Sequence, residues 1–152
     1  YFADVEGAIL ALATEAVAGA GQFAERFGAD WTGPDGLDQA RRLVHDYMVF
    51  WSQHQAVLRI MHLRADERDP RFRAVRVSYN EPLLWAMEAK VKAAQEAGRL
   101  PLDLAPFATA GAMLAVLDRL TSFRETFERR GTSRTAMEAT VARILHTALT
   151  GG

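Results

Sequence analysis

The chain has 152 residues, the size of one domain that buries about 68–70% of the surface its unfolded form exposes. Hydrophobic residues make up 49% and charged residues 24% of the chain, a composition that excludes intrinsic disorder. The formal net charge of −1 argues against a free-standing binder of nucleic acid or acidic membranes. The absence of cysteine excludes disulfides, thiolate zinc sites and cysteine nucleophiles.

The sequence gives no sign of a targeting or membrane segment. Apolar runs such as residues 8–13 are far shorter than the ~20 residues that a membrane span needs. Asp4 and Glu6 lie where a signal peptide would carry basic residues. We therefore expect a cytoplasmic domain that has no membrane partner.

Apolar residues recur every three or four positions along the first half of the chain, which is the spacing of one helix face. The first such segment runs from about residue 4 to residue 27. A loop rich in turn-forming residues follows at positions 31–36, and a second helix begins near Leu37. The pattern breaks at residues 52–54, before a short helix that includes residues 57–63.

The second half of the chain continues the helical pattern. A long helix is predicted over roughly residues 71–97, a fifth over residues 103–128 and a last one over residues 132–149. Strand-like alternation never exceeds four residues, and neither a repeat nor a linker divides the chain. The sequence therefore predicts a single all-α domain of about six helices.

Patterns typical of catalysis or metal binding are missing from the sequence. The four histidines, at positions 45, 54, 62 and 146, do not follow the three- or four-residue spacing that lets two helical side chains share a metal ion. A nucleophile elbow of the Gly-x-Ser-x-Gly type and a phosphate-binding glycine loop are also absent. We therefore predict no enzyme activity, no metal and no cofactor.

Large and adaptable side chains occur on several different helices. A mainly apolar cavity with a few converging polar groups is the usual form of a small-molecule pocket. Buried tyrosine and tryptophan also need polar partners. The alternative is that these residues simply fill the core. The predicted ligand-binding residues are Tyr47, Trp51, His54, Met61, His62, Tyr79, Asn80, Trp85, Phe107 and Met113.

The last two predicted helices have the features of a dimer interface. The fifth is apolar over much of its circumference and carries small residues that allow close approach, and the final helix adds a second apolar stripe. Two such helices and their symmetry mates would form a four-helix interface, unless both pack inside their own subunit. The predicted interface residues are Ala108, Gly111, Ala112, Leu120, Met137, Val141, Ile144 and Leu145.

The first ten residues resemble a junction in the tetracycline-repressor (TetR) family of transcriptional regulators. Tyr1 and Phe2 match the aromatic pair that closes the DNA-recognition helix of that family, and Glu6 matches the acidic position before an apolar helix. Residues 50–59 and the loop at residues 94–101 are similar to actinobacterial members. The resemblance implies an all-α, six-helix ligand-binding domain whose last two helices form a four-helix bundle in the dimer.

The resemblance also implies a domain plan and a function. Residues 1–3 would be the tail of an N-terminal helix-turn-helix domain that lies outside this chain, and residues 4–152 the ligand-binding and dimerisation domain. The implied protein is a homodimeric repressor that leaves operator DNA when a small hydrophobic effector binds between its helices. Its two DNA-reading heads would match half-sites about 34–36 Å apart.

Two other functions remain open from the residues alone. One is a helical small-molecule-binding or interaction bundle without a link to DNA. The other is a helical enzyme that acts on a small apolar substrate, which would need a catalytic pair that the sequence does not display.

Overall fold

The computed structural model describes residues 2–152, with side chains from Asp4 onward. Over that range the chain is all α-helical and forms no strand, which confirms the predicted fold class. The helices are α1 (Phe2–Gly19), α2 (Gly21–Gly28), α3 (Gly36–Gln53), α4 (Gln55–Asp66), α5 (Pro70–Glu96), α6 (Pro106–Ser122), α7 (Arg124–Arg129) and α8 (Arg134–Thr150).

Two predicted helices are each divided in the structure, so residues 2–152 form eight helices in place of the expected six. The first divides at Ala20, between Gly19 and Gly21, because glycine is a poor helix former. The fifth divides at Phe123. Just before it, the Ser122 hydroxyl donates to the Arg119 carbonyl oxygen at 3.2 Å, a local bond that competes with the helical ladder.

The predicted domain boundary near the N-terminus stays a prediction. Tyr1 lies outside the described residues, and nothing is described of the side chains of Phe2 and Ala3. The assignment of residues 1–3 to the tail of a DNA-binding domain therefore rests on the sequence resemblance.

The N-terminal segment Asp4–Gly28 is long and apolar enough, by length and composition alone, to cross a membrane. Such a segment was not expected from the sequence, because its uninterrupted apolar runs are short. A single segment of this kind near the N-terminus is weak support for a membrane span. Its C-terminal part lies in the domain core, where Phe23 and Phe27 are at most 1% exposed.

Helix α5 organises the core and contacts α1, α2, α4, α6 and α8. It begins with Pro70 at a first-turn position, and the Asp69 side chain caps it by accepting from the Arg71 amide at 3.0 Å. One face of the helix is buried along its whole length. That face carries Phe72, Tyr79, Leu83, Met87, Val91 and Ala94. The same helix therefore supplies both the core and, on its flank, one wall of the largest cleft.

Candidate functional site

The largest cleft has a volume of about 950 Å³ and lies between α3, α4, α5, α6 and α7. That volume is at the upper end of the range of about 300–1,000 Å³ seen for small-molecule sites. Half of its fourteen lining residues carry a formal charge, so the cleft is more polar than the apolar cavity that the sequence predicted. The lining residues are Trp51, Arg59, His62, Asp66, Arg76, Asn80, Ala115, Asp118, Arg119, Ser122, Phe123, Glu125, Thr126 and Arg129.

A chain of three polar side chains forms the inner wall of this cleft. The Tyr47 hydroxyl donates to Asp118 Oδ1 and is also hydrogen-bonded to the Tyr79 hydroxyl. Because Tyr47 has a single hydroxyl proton, Tyr79 must be the donor to Tyr47. Both tyrosine protons are therefore used inside the wall. What the wall can offer a ligand is the acceptor capacity of the Asp118 carboxylate.

Burial changes the acidity of all three groups. The pKa of Asp118 rises to about 6, because burial disfavours the carboxylate more than the hydrogen bond from Tyr47 favours it. The pKa values of Tyr47 and Tyr79 lie well above the ordinary value for the same reason, reinforced by the neighbouring charge of Asp118. Both hydroxyls thus stay protonated at neutral pH, while Asp118 is mostly ionised.

Asn80 and His62 complete the inner part of the cleft. Asn80 Oδ1 is buried and lacks a hydrogen-bond partner among the described residues, an unusual state for a buried polar atom. Burial and the nearby Arg76 lower the pKa of His62, so its imidazole is neutral at neutral pH. The His62 ring packs edge-on against Tyr79, with centroids 6.3 Å apart. Asn80 is therefore free to bond a bound molecule.

Exposed arginines surround the mouth of the cleft. Arg59 lies over the Trp51 ring at 5.6 Å, and Arg119 over the Phe123 ring at 4.1 Å, both as cation–π contacts. Stacking of this kind holds a guanidinium in place, and Arg59 Nη2 also donates to the Ser122 carbonyl oxygen at 3.3 Å. The mouth can thus present fixed cationic donors to an anionic group.

Five of the ten predicted ligand-binding residues belong to the cleft or its inner wall. Trp51, His62 and Asn80 line it. Tyr47 and Tyr79 lie behind the surface and reach the cleft through their hydrogen bonds with each other and with Asp118. The structure thus brings together side chains from α3, α4 and α5 that the sequence placed on separate helices.

The other five predicted residues do not line this cleft, and their part in ligand binding stays a prediction. Met61 is 0% exposed and fills the core, and Met113 packs against the core from its edge. Trp85 and Phe107 are more than half exposed, at 56% and 52%. Phe107 also precedes the cleft residue Ala115 by eight positions, about 12 Å along the helix.

His54 has a different place from the one predicted. It borders a smaller groove formed with Leu12, Ala16 and Val57. Its ring lies 4.7 Å from that of Phe50. The break between α3 and α4 turns it away from the large cleft, because His54 is the junction residue between the two helices.

Asp118 is the functional residue that sequence reasoning missed, and a signal for it was present. The buried face of α6 carries Leu114, Leu117 and Thr121. Asp118 follows Leu114 by four positions, so helical geometry places its carboxylate on or beside that face. A carboxylate at such a position needs partners. The arginines of the mouth gave no such signal, because exposed arginine is common on any helix.

The predicted dimer residues divide between the core and the surface. Met137, Val141 and Leu145 are at most 3% exposed within the subunit. The apolar stripe of α8 packs on α3 of the same chain, and the assignment of these residues to a dimer interface stays a prediction. Gly111 and Leu120 are half-buried, and the remaining three predicted residues are exposed on α6 or α8. Those three are Ala108, Ala112 and Ile144.

A second cleft of about 500 Å³ lies beside the loop between α2 and α3. Lys90 is its most notable residue. Burial lowers its pKa to about 8, and its ammonium lies 4.4 Å from the centre of the Trp31 ring. Lys90 Nζ also donates to the carbonyl of Ala29. Because these contacts anchor the loop, we interpret this cleft as structural.

The described residues contain no group of three or more histidine or acidic side chains placed to hold a metal ion. The cleft combines hydrogen-bond acceptors, stacked arginines and the edge of the largely buried Trp51 side chain. This arrangement can bind and orient a small organic molecule.

Comparison with known families defines the class of protein. Residues 24–152 match the family described as Tetracyclin repressor-like, C-terminal domain. The match spans most of the chain, so the chain belongs to this family, and the sequence resemblance is confirmed at that level. Domains of this kind are the ligand-binding regulatory parts of TetR regulators and are in general not enzymes. No match was found among curated proteins or among solved structures.

Proposed function

We propose that this chain is the effector-binding and dimerisation domain of a repressor that leaves operator DNA when a small organic molecule occupies the large cleft. In this proposal the DNA-binding segment precedes residue 4, the protein is cytoplasmic, and the domain acts as a homodimer. The unpartnered Asn80 Oδ1 inside a cleft of about 950 Å³ carries the proposal. A buried acceptor without a protein partner is available to a molecule in the cleft that donates a hydrogen bond to it.

The position of the cleft supports a regulatory role for the occupant. Its walls come from five helices, so a ligand that contacts them all can favour one relative arrangement over another. Helix α4 lines the cleft through His62 and contacts α1, the helix nearest the proposed DNA-binding segment. A ligand shifts such an equilibrium only if it binds the released arrangement more tightly than the DNA-bound one.

The surface of α6 and α8 supports the homodimer. Phe107, Ala108 and Ala112 are exposed on one side of α6, and Ile144 is 41% exposed on α8. Helices α6 and α8 contact each other, so these residues can form one apolar surface. A self-complementary pairing of that surface would bury it in a two-fold dimer.

A compound screen by thermal unfolding tests the role of the cleft. Compounds that raise Tm of the 152-residue chain should bind at least about tenfold more weakly to Asn80→Leu and Trp51→Ala, because both substitutions remove cleft groups. Trp85→Ala is the matched control, since Trp85 is exposed outside the cleft. The proposed site is wrong if the affinities of all binders are the same in the wild type and the two cleft variants.

The link to DNA needs a separate measurement. A protein that joins this domain to its own N-terminal DNA-binding segment should release promoter DNA when a cleft-dependent compound is added, and its Asn80→Leu variant should need more compound. A compound that occupies the cleft without changing DNA affinity would favour the alternative, a small-molecule-binding bundle without a DNA-linked role.

A further inference from the structure

The inner wall of the large cleft offers acceptors to a ligand. With Asp118 ionised, the protons of Tyr47 and Tyr79 are both used within the wall. Asp118 keeps acceptor capacity beyond the bond from Tyr47, and Asn80 Oδ1 has no donor among the described residues. A ligand that satisfies these groups must bring a hydrogen-bond donor to this end of the cleft.

The mouth of the cleft, in contrast, favours a ligand group that accepts hydrogen bonds. Arg76 is paired with Asp66 at 2.6 Å and is thereby neutralised. Among the ion pairs within residues 4–152, none involves Arg59, Arg119 or Arg129. Glu125 is the one carboxylate that accompanies these three arginines at the mouth. The local charge is therefore positive and favours an anionic group, for which guanidinium is a good partner.

The region between the two ends has apolar surfaces. Trp51, Ala115 and Phe123 contribute side chains to the lining. Phe123 is 43% exposed and can cover the flat body of a ligand, whereas Trp51 is 4% exposed and contributes only a small surface. The cleft is thus asymmetric, with acceptors inside, an apolar middle and cations outside.

Resting on the function proposed above, we propose that the ligands of this cleft are small aromatic carboxylic acids that carry a hydroxyl donor at the end opposite the carboxylate. The hydroxyl donates its single proton to the Asp118 carboxylate, and the carboxylate of the ligand accepts from the arginines of the mouth. Recognition therefore needs both ends of the molecule.

Three related probes test this pattern by titration calorimetry on the 152-residue chain. They are 4-hydroxyphenylacetate, phenylacetate, which lacks the donor, and 2-(4-hydroxyphenyl)ethanol, which lacks the carboxylate. We expect the affinity of the hydroxy acid to exceed that of either other probe by roughly tenfold or more. Each of the other probes lacks one of the two charge-assisted hydrogen-bonding groups.

Variants of the protein then show which side chain binds each end of the ligand. Asp118→Asn should lower the affinity for the hydroxy acid roughly tenfold, because the hydroxy acid donates to that carboxylate. The affinity for phenylacetate, which has no such donor, should change by less than about twofold. Arg119→Gln should lower the affinity for both acids several-fold and leave the affinity for the neutral alcohol unchanged. Arg143→Gln is the control, because Arg143 is exposed on α8 and does not line the cleft.

The proposal is overturned if the hydroxy acid binds no more tightly than both other probes, or if the two cleft variants leave its selectivity unchanged. If a library compound of another class binds in an Asn80-dependent way while all three probes fail, the ligand class is wrong and the proposed function stands. If no compound depends on Asn80 or Trp51, the proposed function fails as well.

Discussion

The Tyr47 hydroxyl on α3 donates to the Asp118 carboxylate on α6, a bond between residues 71 positions apart in the chain. It ties two walls of the cleft together and determines which polar groups face its interior. Since Tyr79 on α5 joins the same chain of hydrogen bonds, three helices share one buried polar network. Stability and ligand binding should therefore depend on the same few atoms.

Asp118→Asn should make the protein more stable at neutral pH than the wild type. The folded-state pKa of Asp118 is about 6, against 3.8 for the unconstrained group. The folded state thus holds its proton more tightly than the unfolded state, and wild-type stability falls as pH rises from about 4 to about 6. The variant, which has no such group, should gain up to about 3 kcal/mol relative to wild type across that window. Urea unfolding at pH 4 and pH 7.5 measures the difference, and an equal gain at both values would contradict the assignment.

Tyr47→Phe should destabilise the protein more than Tyr79→Phe. Loss of the Tyr47 hydroxyl leaves both the Asp118 carboxylate and the Tyr79 hydroxyl without their partner, at a cost of about 2 kcal/mol or more. Loss of the Tyr79 hydroxyl removes one donor and leaves the Tyr47–Asp118 bond intact, at a cost of about 1 kcal/mol. Chemical denaturation of both variants at pH 7.5 gives the comparison. The reverse order would mean that Tyr79, and not Tyr47, supplies the proton to Asp118.

Gly36→Ala should be strongly destabilising. A Cβ at position 36 would lie 1.7 Å from the Trp31 carbonyl oxygen, and that same oxygen is 3.0 Å from His146 Nε2. The loop must therefore move and give up this buried contact, at a cost above about 2 kcal/mol. Gly7→Ala is the control, because no atom lies within 4 Å of its added Cβ. In the middle of α1 it should be neutral or stabilising by up to about 1 kcal/mol.

Ile144→Glu should weaken the proposed homodimer at least about tenfold, because it places a charge in an apolar contact. Leu63→Glu is the matched control, since Leu63 is 58% exposed on α4, away from α6 and α8. Light scattering across a concentration series reports the mass of both variants and of the wild type. If Ile144→Glu keeps the wild-type mass at every concentration, this surface is not the dimer interface.

The helices α5 and α8 show how much of this protein the sequence predicted. The predicted long helix over roughly residues 71–97 agrees with α5 (Pro70–Glu96), because helix periodicity is a local property. The same reasoning assigned the stripe of α8 to a dimer face, whereas three residues of that stripe, Met137, Val141 and Leu145, are buried inside the subunit. Periodicity shows that a stripe is buried, and it does not show which neighbour buries it.

The sequence by itself determined the all-α class, most helix positions and the family, since these depend on local spacing and on short motifs. Only the tertiary structure decided that Trp51, His62 and Asn80 share one cleft while Trp85 and Phe107 face outward. Only the tertiary structure also shows that Asp118 and Tyr47 are hydrogen-bonded. Such contacts depend on how helices distant in sequence pack against one another, and the rotation and crossing of packed helices are set by all their side chains together.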